Sequence, residues 1–337
     1  MAVSLLLLVV VLCGCSKSKE KPYLQTVNGK QYATTNQIWL THEHVLVDFI
    51  GADSIMPSLW NHDSIMEVVL PYLDSLKSFK VAFLVDATPN YLGRDAVLLK
   101  KIADKMGIMI LTNTGLYGAR TNRYIPKWVK AMTPQELAEH WTAEFENGIN
   151  NTPIKPGFIK IGIDSADPLD TLHQKLVEAA GLTHLKTGLV IASHTGKAIG
   201  LWPQLKILNE LKVPPESFIW VHAQEEPNPQ NYLKAAKEGC WISLDGLGWE
   251  LEKHLEKLVY AKQNNILDHI LISHDAGWYD PQKEQQNIQS YTAIFRKLLP
   301  ALKAKGFSEA DIDQLLSINP SRAYSISSGK IPGGFEY

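Results

Sequence analysis

Short apolar runs recur through this chain, and each is followed by a longer amphipathic segment. That alternation constrains the fold more than any other feature. Eight runs have the length and apolar content of strands buried on both faces: Ile38–His42, Val81–Asp86, Ile108–Thr112, Phe158–Ile161, Leu189–Ser193, Phe218–His222, Trp241–Leu244 and Ile270–Ser273. Helices are expected between them, over Ile65–Phe79, Arg94–Met106, Thr133–Asn147, Leu169–Lys186, Leu201–Leu211, Pro229–Glu238 and Glu250–Asn264. Two more fall near Ile288–Lys303 and Glu309–Ser317. The first helix has apolar residues at Ile65, Val68, Val69, Tyr72, Leu73 and Leu76, which is helical spacing. Thr133-Pro134-Gln135-Glu136 carries a cap, a proline and a glutamate in the order that starts a helix. Strands joined through helices run parallel, and eight of them make a (β/α)8 barrel of the α/β class. The alternative, an open doubly wound sheet, would want a glycine-rich phosphate loop after an early strand, and none is present. No Pro/Gly/Ser-rich linker interrupts residues 35–330, so a single barrel domain over residues 31–337 is the economical reading.

The N-terminus differs from the rest. Leu5 to Cys13 is apolar but short for a bilayer, and Gly14-Cys15-Ser16 and a lysine-rich stretch follow it. Residues 1–15 have the proportions of a secretory signal. Leu12-Cys13-Gly14-Cys15 resembles a bacterial lipobox, which makes Cys15 the lipidated first residue of an exported, membrane-anchored lipoprotein. Residues 16–30 read as a polar tether ending in a small strand or hairpin. Membrane association is expected only through that anchor. Cys240 is then the one remaining thiol, buried and inert. With a net charge of -2 and dispersed Lys and Arg, the chain has no basic stripe for nucleic acid.

Catalytic groups of such a barrel gather where the strands end. Thr41-His42-Glu43-His44 closes the first run. On a strand His42 and His44 point the same way and Glu43 the other, as a structural partner. Two such imidazoles can chelate one divalent cation, though a lone His-x-His is as readily a hydrogen-bonded structural pair. His194 and His222 end the fifth and sixth runs, and Asp275 lies just past the eighth. Together these donors suffice for two divalent cations. The remaining histidines (His62, His140, His173, His184, His254, His269 and His274) are expected to be structural or at the surface. Lys160 lies inside the fourth run, where an unpaired ammonium is costly. It either pairs with a carboxylate at the barrel mouth or, as a neutral amine, adds CO2 to become a carbamate able to bridge two metals. Asp275, a carbamate and a hydroxide together would leave the two divalent ions with a single net positive charge.

These residues together resemble the phosphotriesterase family of the amidohydrolase superfamily, over roughly residues 37–326. Besides Thr41-His42-Glu43-His44, the resemblance is carried by Val85-Asp86-Ala87-Thr88, Leu92-Gly93-Arg94-Asp95, Thr114-Gly115-Leu116-Tyr117 and Gly157-Phe158-Ile159-Lys160. It continues through Ser193-His194-Thr195-Gly196, Val221-His222, Leu244-Asp245-Gly246, Ser273-His274-Asp275 and Asn319-Pro320-Ser321-Arg322-Ala323. The resemblance implies a binuclear site, usually zinc. His42, His44 and Asp275 would hold the more buried ion and His194 and His222 the more exposed one. Carboxylated Lys160 and a hydroxide would bridge the two ions. The hydroxide would attack an ester or lactone carbonyl, with Asp275 taking the proton. Paraoxon-hydrolysing members carry His where this chain has Gly246, and an Asp where it has Glu225. Lactone-active members place a Tyr where Tyr117 stands. The expected activity is therefore hydrolysis of a small ester or lactone. Phosphotriester or phosphoester hydrolysis at the same site is the alternative, and a non-enzymatic tethered binding protein on a decayed barrel is the reading from another class. Tyr117, Asp245, Trp278 and Tyr279 are expected to meet the substrate, with Trp202 and Trp249 as further candidate walls. The resemblance also implies a homodimer.

Overall fold

The computed structural model describes residues 21–32, 34 and 36–327, so the signal segment and Cys15 lie outside the described residues. An antiparallel hairpin comes first, β1 (Leu24–Thr26) and β2 (Gly29–Gln31). The strands that follow are β3 (Ile38–Leu46), β4 (Val81–Asp86), β5 (Met109–Leu111), β6 (Asn113–Thr114) and β7 (Phe158–Gly162). They continue with β8 (Ile191–His194), β9 (Phe218–Val221), β10 (Trp241–Leu244), β11 (Ile270–Ile272) and β12 (Gly277–Tyr279). Between them run α1 (His62–Asp74), α2 (Ala96–Met106), α3 (Pro134–Asn147), α4 (Thr171–Thr187), α5 (Ala198–Glu210), α6 (Gln230–Glu238) and α7 (Leu251–Gln263). Two parallel sheets result, in the orders β11-β10-β9-β8-β7-β6 and β12-β3-β4-β5. They share two stretches of chain. Residues 109–114 pair with β4 through β5 and with β7 through β6, and residues 270–279 pair with β10 through β11 and with β3 through β12. This is the arrangement of a (β/α)8 barrel, with one helix after each of the first seven strands.

The interior holds alternate strand residues, as the pleat requires. Trp39, Phe83, Leu111, Phe158, Trp241 and Leu271 form its lower layers with Val190, Ile219 and Val221. Trp39 stacks on Phe83 with ring centroids 3.9 Å apart. The apolar stripes of the helices cover the outside of the strands. The hairpin that ends the expected tether packs on the barrel floor: Leu24 is fully buried in the interior cluster, and Val27 N–H donates to Ile110 O. Tyr23 pairs with Ile326, so both ends of the described chain meet on that lower face.

Three expectations shift. The first strand runs on to Leu46, because β12 pairs with its upper half. β12 itself was not foreseen. The segment from Ile288 is not helical until about residue 293, because Gln289 instead bridges to Gly277.

Leu92-Gly93-Arg94-Asp95 turns out to serve the scaffold. Asp95 caps α2 by accepting from Leu98 N–H at 2.9 Å. Arg94 reaches from the start of α2 to Glu144 on α3 with two bonds of 2.7 and 2.6 Å, and donates to Asn113 O at 2.8 Å. Thr114 Oγ1 adds a 2.6 Å bond to the same carboxylate. Burial acts to raise the Glu144 pKa, but Arg94 outweighs it and holds the carboxyl below its usual value. Replacing Arg94 by Leu leaves Glu144 buried and unpaired. A loss of about 3–5 kcal/mol in chemical denaturation is expected, most of it recovered in an Arg94→Leu/Glu144→Leu double variant.

Candidate metal centre

Trp39 faces the interior, so strict alternation would turn His42 and His44 outward. The pairing of β3 with β4 is irregular between Leu40 and Glu43, and that shift of one residue brings both imidazoles in. Glu43 points away and is fully buried, accepting from Ser273 Oγ, His274 N–H and Nδ1, and Ala276 N–H at 2.7–3.0 Å. His222 meets the same obstacle, because Val221 already faces inward. A left-handed backbone at His222 (φ 60°) swings its ring back over the barrel. Asp275 and Trp278 are also left-handed, at φ 53° and 75°. Such conformations are uncommon outside glycine and cluster at functional sites.

The result is a ring of imidazoles around one floor. Ring centroids are 5.3 Å apart for His42 and His44, 5.1 Å for His42 and His222, and 4.4 Å for His194 and His222. His42, His44 and Asp275 each offer a donor atom, all within 4.8 Å of one another. Asp275 Oδ1 is 3.0 Å from His44 Nε2 and 3.8 Å from His42 Nε2. The opposite nitrogens are held from behind. His44 Nδ1 meets Thr88 Oγ1 at 2.8 Å, and Asp245 lies 3.4 Å from His42 Nδ1 and 2.7 Å from His222 Nδ1. Such second contacts leave Nε2 as the lone-pair donor and fix the ring plane.

Burial keeps His42 and His194 neutral, as an imidazole that ligates a metal must be. It lowers the His42 pKa to about 4, with help from Lys160, and drives His194 well below the usual value. His222 goes the other way: burial acts to lower it, but Asp245 outweighs burial and raises it. Burial alone would raise Asp275, yet the hydrogen bond from His44 and the neighbouring imidazoles bring it down to about 2. The three-donor group therefore fits a divalent cation. His194 and His222 adjoin it but form no three-donor group of their own among the described residues. Lys160 lies beside them, 2% exposed, and among the described residues no carboxylate is within ion-pairing distance of its amine. Burial lowers its pKa to about 8, against the pull of Asp245 and Asp275.

A cavity of about 290 Å³ opens above this floor. Tyr117 lines it, its hydroxyl 3.2 Å from His194 Nδ1, and Gly162 leaves room for the Tyr117 ring to cross the strand end. Trp278 and Trp249 line it too. Tyr279 and Trp202 do not: Tyr279 belongs to β12 and accepts from Val47 N–H, while Trp202 lies under Lys234 at 3.8 Å. Asp245, grouped in the sequence with the substrate residues, sits instead behind the imidazoles and is fully buried. Gln224, whose Nε2 donates to Asp245 at 3.1 Å, went unnoticed in the sequence, because a polar loop residue carries no periodic signal, and Thr88 was read there only as part of a motif, without its role behind His44. His254 reaches the cavity wall but both its nitrogens are taken, Nε2 by Gly246 N–H and Nδ1 by Glu250 O.

The sequence is similar to those of several known proteins. A phosphotriesterase homology protein of Escherichia coli is 26% identical over 289 residues, covering 85% of this chain and 97% of its own. An aryldialkylphosphatase of Saccharolobus solfataricus is 28% identical over 317 residues, covering 88% and 98%. A phospho-furanose lactonase of Mycoplasmopsis synoviae is 27% identical over 278 residues, covering 74% and 78%. The sequence matches the phosphotriesterase family over residues 22–324. With that match spanning nearly the whole described barrel, the chain belongs to the phosphotriesterase family.

Proposed function

We propose that this protein is a metal-dependent hydrolase of small esters or lactones. The observation that carries the reading is the three-donor group of His42, His44 and Asp275 at the floor of an aromatic-walled cavity. In this reading those residues hold one divalent ion, zinc by the nature of the donor set, and His194 and His222 hold a second. Lys160 would add a further ligand as a carbamate, its neutral amine adding CO2 and releasing a proton. Bound divalent ions supply an activated water and polarise the scissile carbonyl. Asp275, which lines the cavity as an ionised carboxylate, is the group placed to take a proton there. Tyr117 and Trp278 flank the reacting bond, and Asp245 keeps His42 and His222 in place. The intact donor set speaks against a decayed, non-enzymatic barrel. Protein stripped by chelation is expected to lose lactone and aryl ester hydrolysis and to regain it with Zn2+ and bicarbonate. Asp275→Asn is expected to lower kcat about a hundred- to ten-thousandfold in the same assay. Inactivity across both substrate classes after reconstitution would sink the reading.

Phosphotriester hydrolysis is the second reading, favoured by the aryldialkylphosphatase relative. Space at Gly246 weighs against it. A Cβ there would meet Gln224 Nε2 at 2.7 Å and His254 Cε1 at 3.3 Å. Gln224 in turn braces Asp245. Gly246→His is therefore expected to lower every activity of the site by displacing that brace. Gly246→His/Gln224→Ala tests whether room alone restores phosphotriester turnover, read as kcat/KM on an aryl dialkyl phosphate.

In this reading the protein is exported and anchored through Cys15. The first described residues lie on the face opposite the cavity, which would leave the mouth pointing away from the membrane. Cys15→Ser is expected to move the protein from the membrane fraction to the soluble fraction. Unchanged fractionation would count against the anchor.

A further inference from the structure

The cavity rim carries one cation that the hydrolytic reading leaves unused. Arg120 lines the mouth from the loop after β6, and among the described residues its guanidinium has no carboxylate partner. Its backbone is fixed. Residues Arg120, Thr121 and Asn122 are all left-handed, at φ 62°, 57° and 62°. Each costs about 1–2 kcal/mol for a residue with a side chain. Asp164 holds the strained turn by accepting from Arg120 N–H at 2.7 Å and Thr121 N–H at 3.1 Å. Backbone strain of this kind clusters at functional sites.

Between Arg120 and the floor stand aromatic rings. The guanidinium lies 6.0 Å from the centroid of Phe49, Phe49 stacks on Trp278 at 5.5 Å, and Trp278 meets His44 at 5.1 Å. Tyr124 backs this wall, 6.3 Å from Phe49. The acids of the rim, Glu225 and Glu250, are on the loops after the sixth and seventh strands, and Glu250 is engaged by Lys253 at 2.5 Å. The mouth is thus polar on two sides and of opposite charge. A ligand lying along Trp278 and Phe49 would present its far end to Arg120.

Resting on the ester or lactone reading above, we propose that Arg120 is a specificity-determining residue. It selects substrates that carry an anionic group, a carboxylate or a phosphate, beyond an apolar or ring-shaped portion covered by Phe49 and Trp278. A guanidinium recognises either anion through paired donors, and an exposed one such as Arg120 does so in a salt-dependent way.

The test compares a five-membered lactone bearing a free hydroxymethyl group with its phosphorylated and carboxylated counterparts, using the metal-loaded full chain. The protein is expected to favour a charged lactone through a lower KM. Arg120→Leu should raise that KM about tenfold, leave kcat unchanged and leave the neutral lactone unaffected. Arg120→Lys should recover part of the preference, and added salt should erode it. The charged form that loses more identifies the head group. No advantage for either charged lactone, or one that survives Arg120→Leu and so belongs to the floor, would overturn the proposal. Should none of the three be hydrolysed, the hydrolase reading fails and the charge preference is read by binding. Quenching of Trp249 and Trp278 fluorescence by hexanoate and hexanamide then decides. A preference for hexanoate that Arg120→Leu abolishes supports the proposal, and equal binding of the two overturns it.

Discussion

One buried carboxylate sets the geometry on which the site depends. Asp245 is fully enclosed, and burial acts to raise its pKa. His222 and His42 outweigh that and hold it well below the carboxylate range. The charge repays this support by fixing one nitrogen of each ring, so that the other nitrogens face the cavity. His42 and His222 come from strands far apart in sequence. A single group that orients both ties two halves of the centre together. Gln224 and the lack of a side chain at Gly246 complete the socket for it.

The alternation of strands and helices was legible because a parallel barrel buries both faces of each strand, which writes its position as an unbroken apolar run. The seventh strand, Trp241–Leu244, falls where the sequence places it, and Thr133 caps α3 with the reciprocal bonds that its motif implies. What escaped were segments whose pairing is decided elsewhere. Gly277-Trp278-Tyr279 has no run of its own and becomes a strand only because β3 extends far enough to receive it. The residues after Ile288 look helical, but Gln289 is drawn to the edge beside Gly277. The hairpin at residues 24–31 was expected, and only its packing on the barrel floor was not.

The candidate donors were legible as residue types at strand ends, and the structure gathers His42, His44 and Asp275 into one group with His194, His222 and Lys160 beside them. Their aim was harder to read. Two-residue periodicity predicts the wrong side for His42, His44 and His222, and a register shift and a left-handed residue correct it. Neither leaves a mark in a single sequence. The groups that steady the donors, Thr88, Gln224 and Asp245, could be ranked only once the rings they touch were in place.

The join between the first and last strands has a consequence of its own. Over its lower part this seam is made by side chains: Thr41 Oγ1 donates to Ile272 O and His42 N–H to Ser273 Oγ, while Tyr324 OH, from the C-terminal helix, donates to Thr41 O. Glu43 gathers the opposing segment from Ser273 to Ala276. A backbone ladder accepts almost any residue, because it bonds through atoms that every residue shares. This seam does not, so its spelling is part of its mechanics. The strands that carry His42, His44 and Asp275 are held in step by hydroxyls and one carboxylate, beside the backbone bonds from Asp275 N–H to His42 O and from His44 N–H to Ala276 O. Drift in the sequence at those unassuming positions would loosen the centre without touching a single donor.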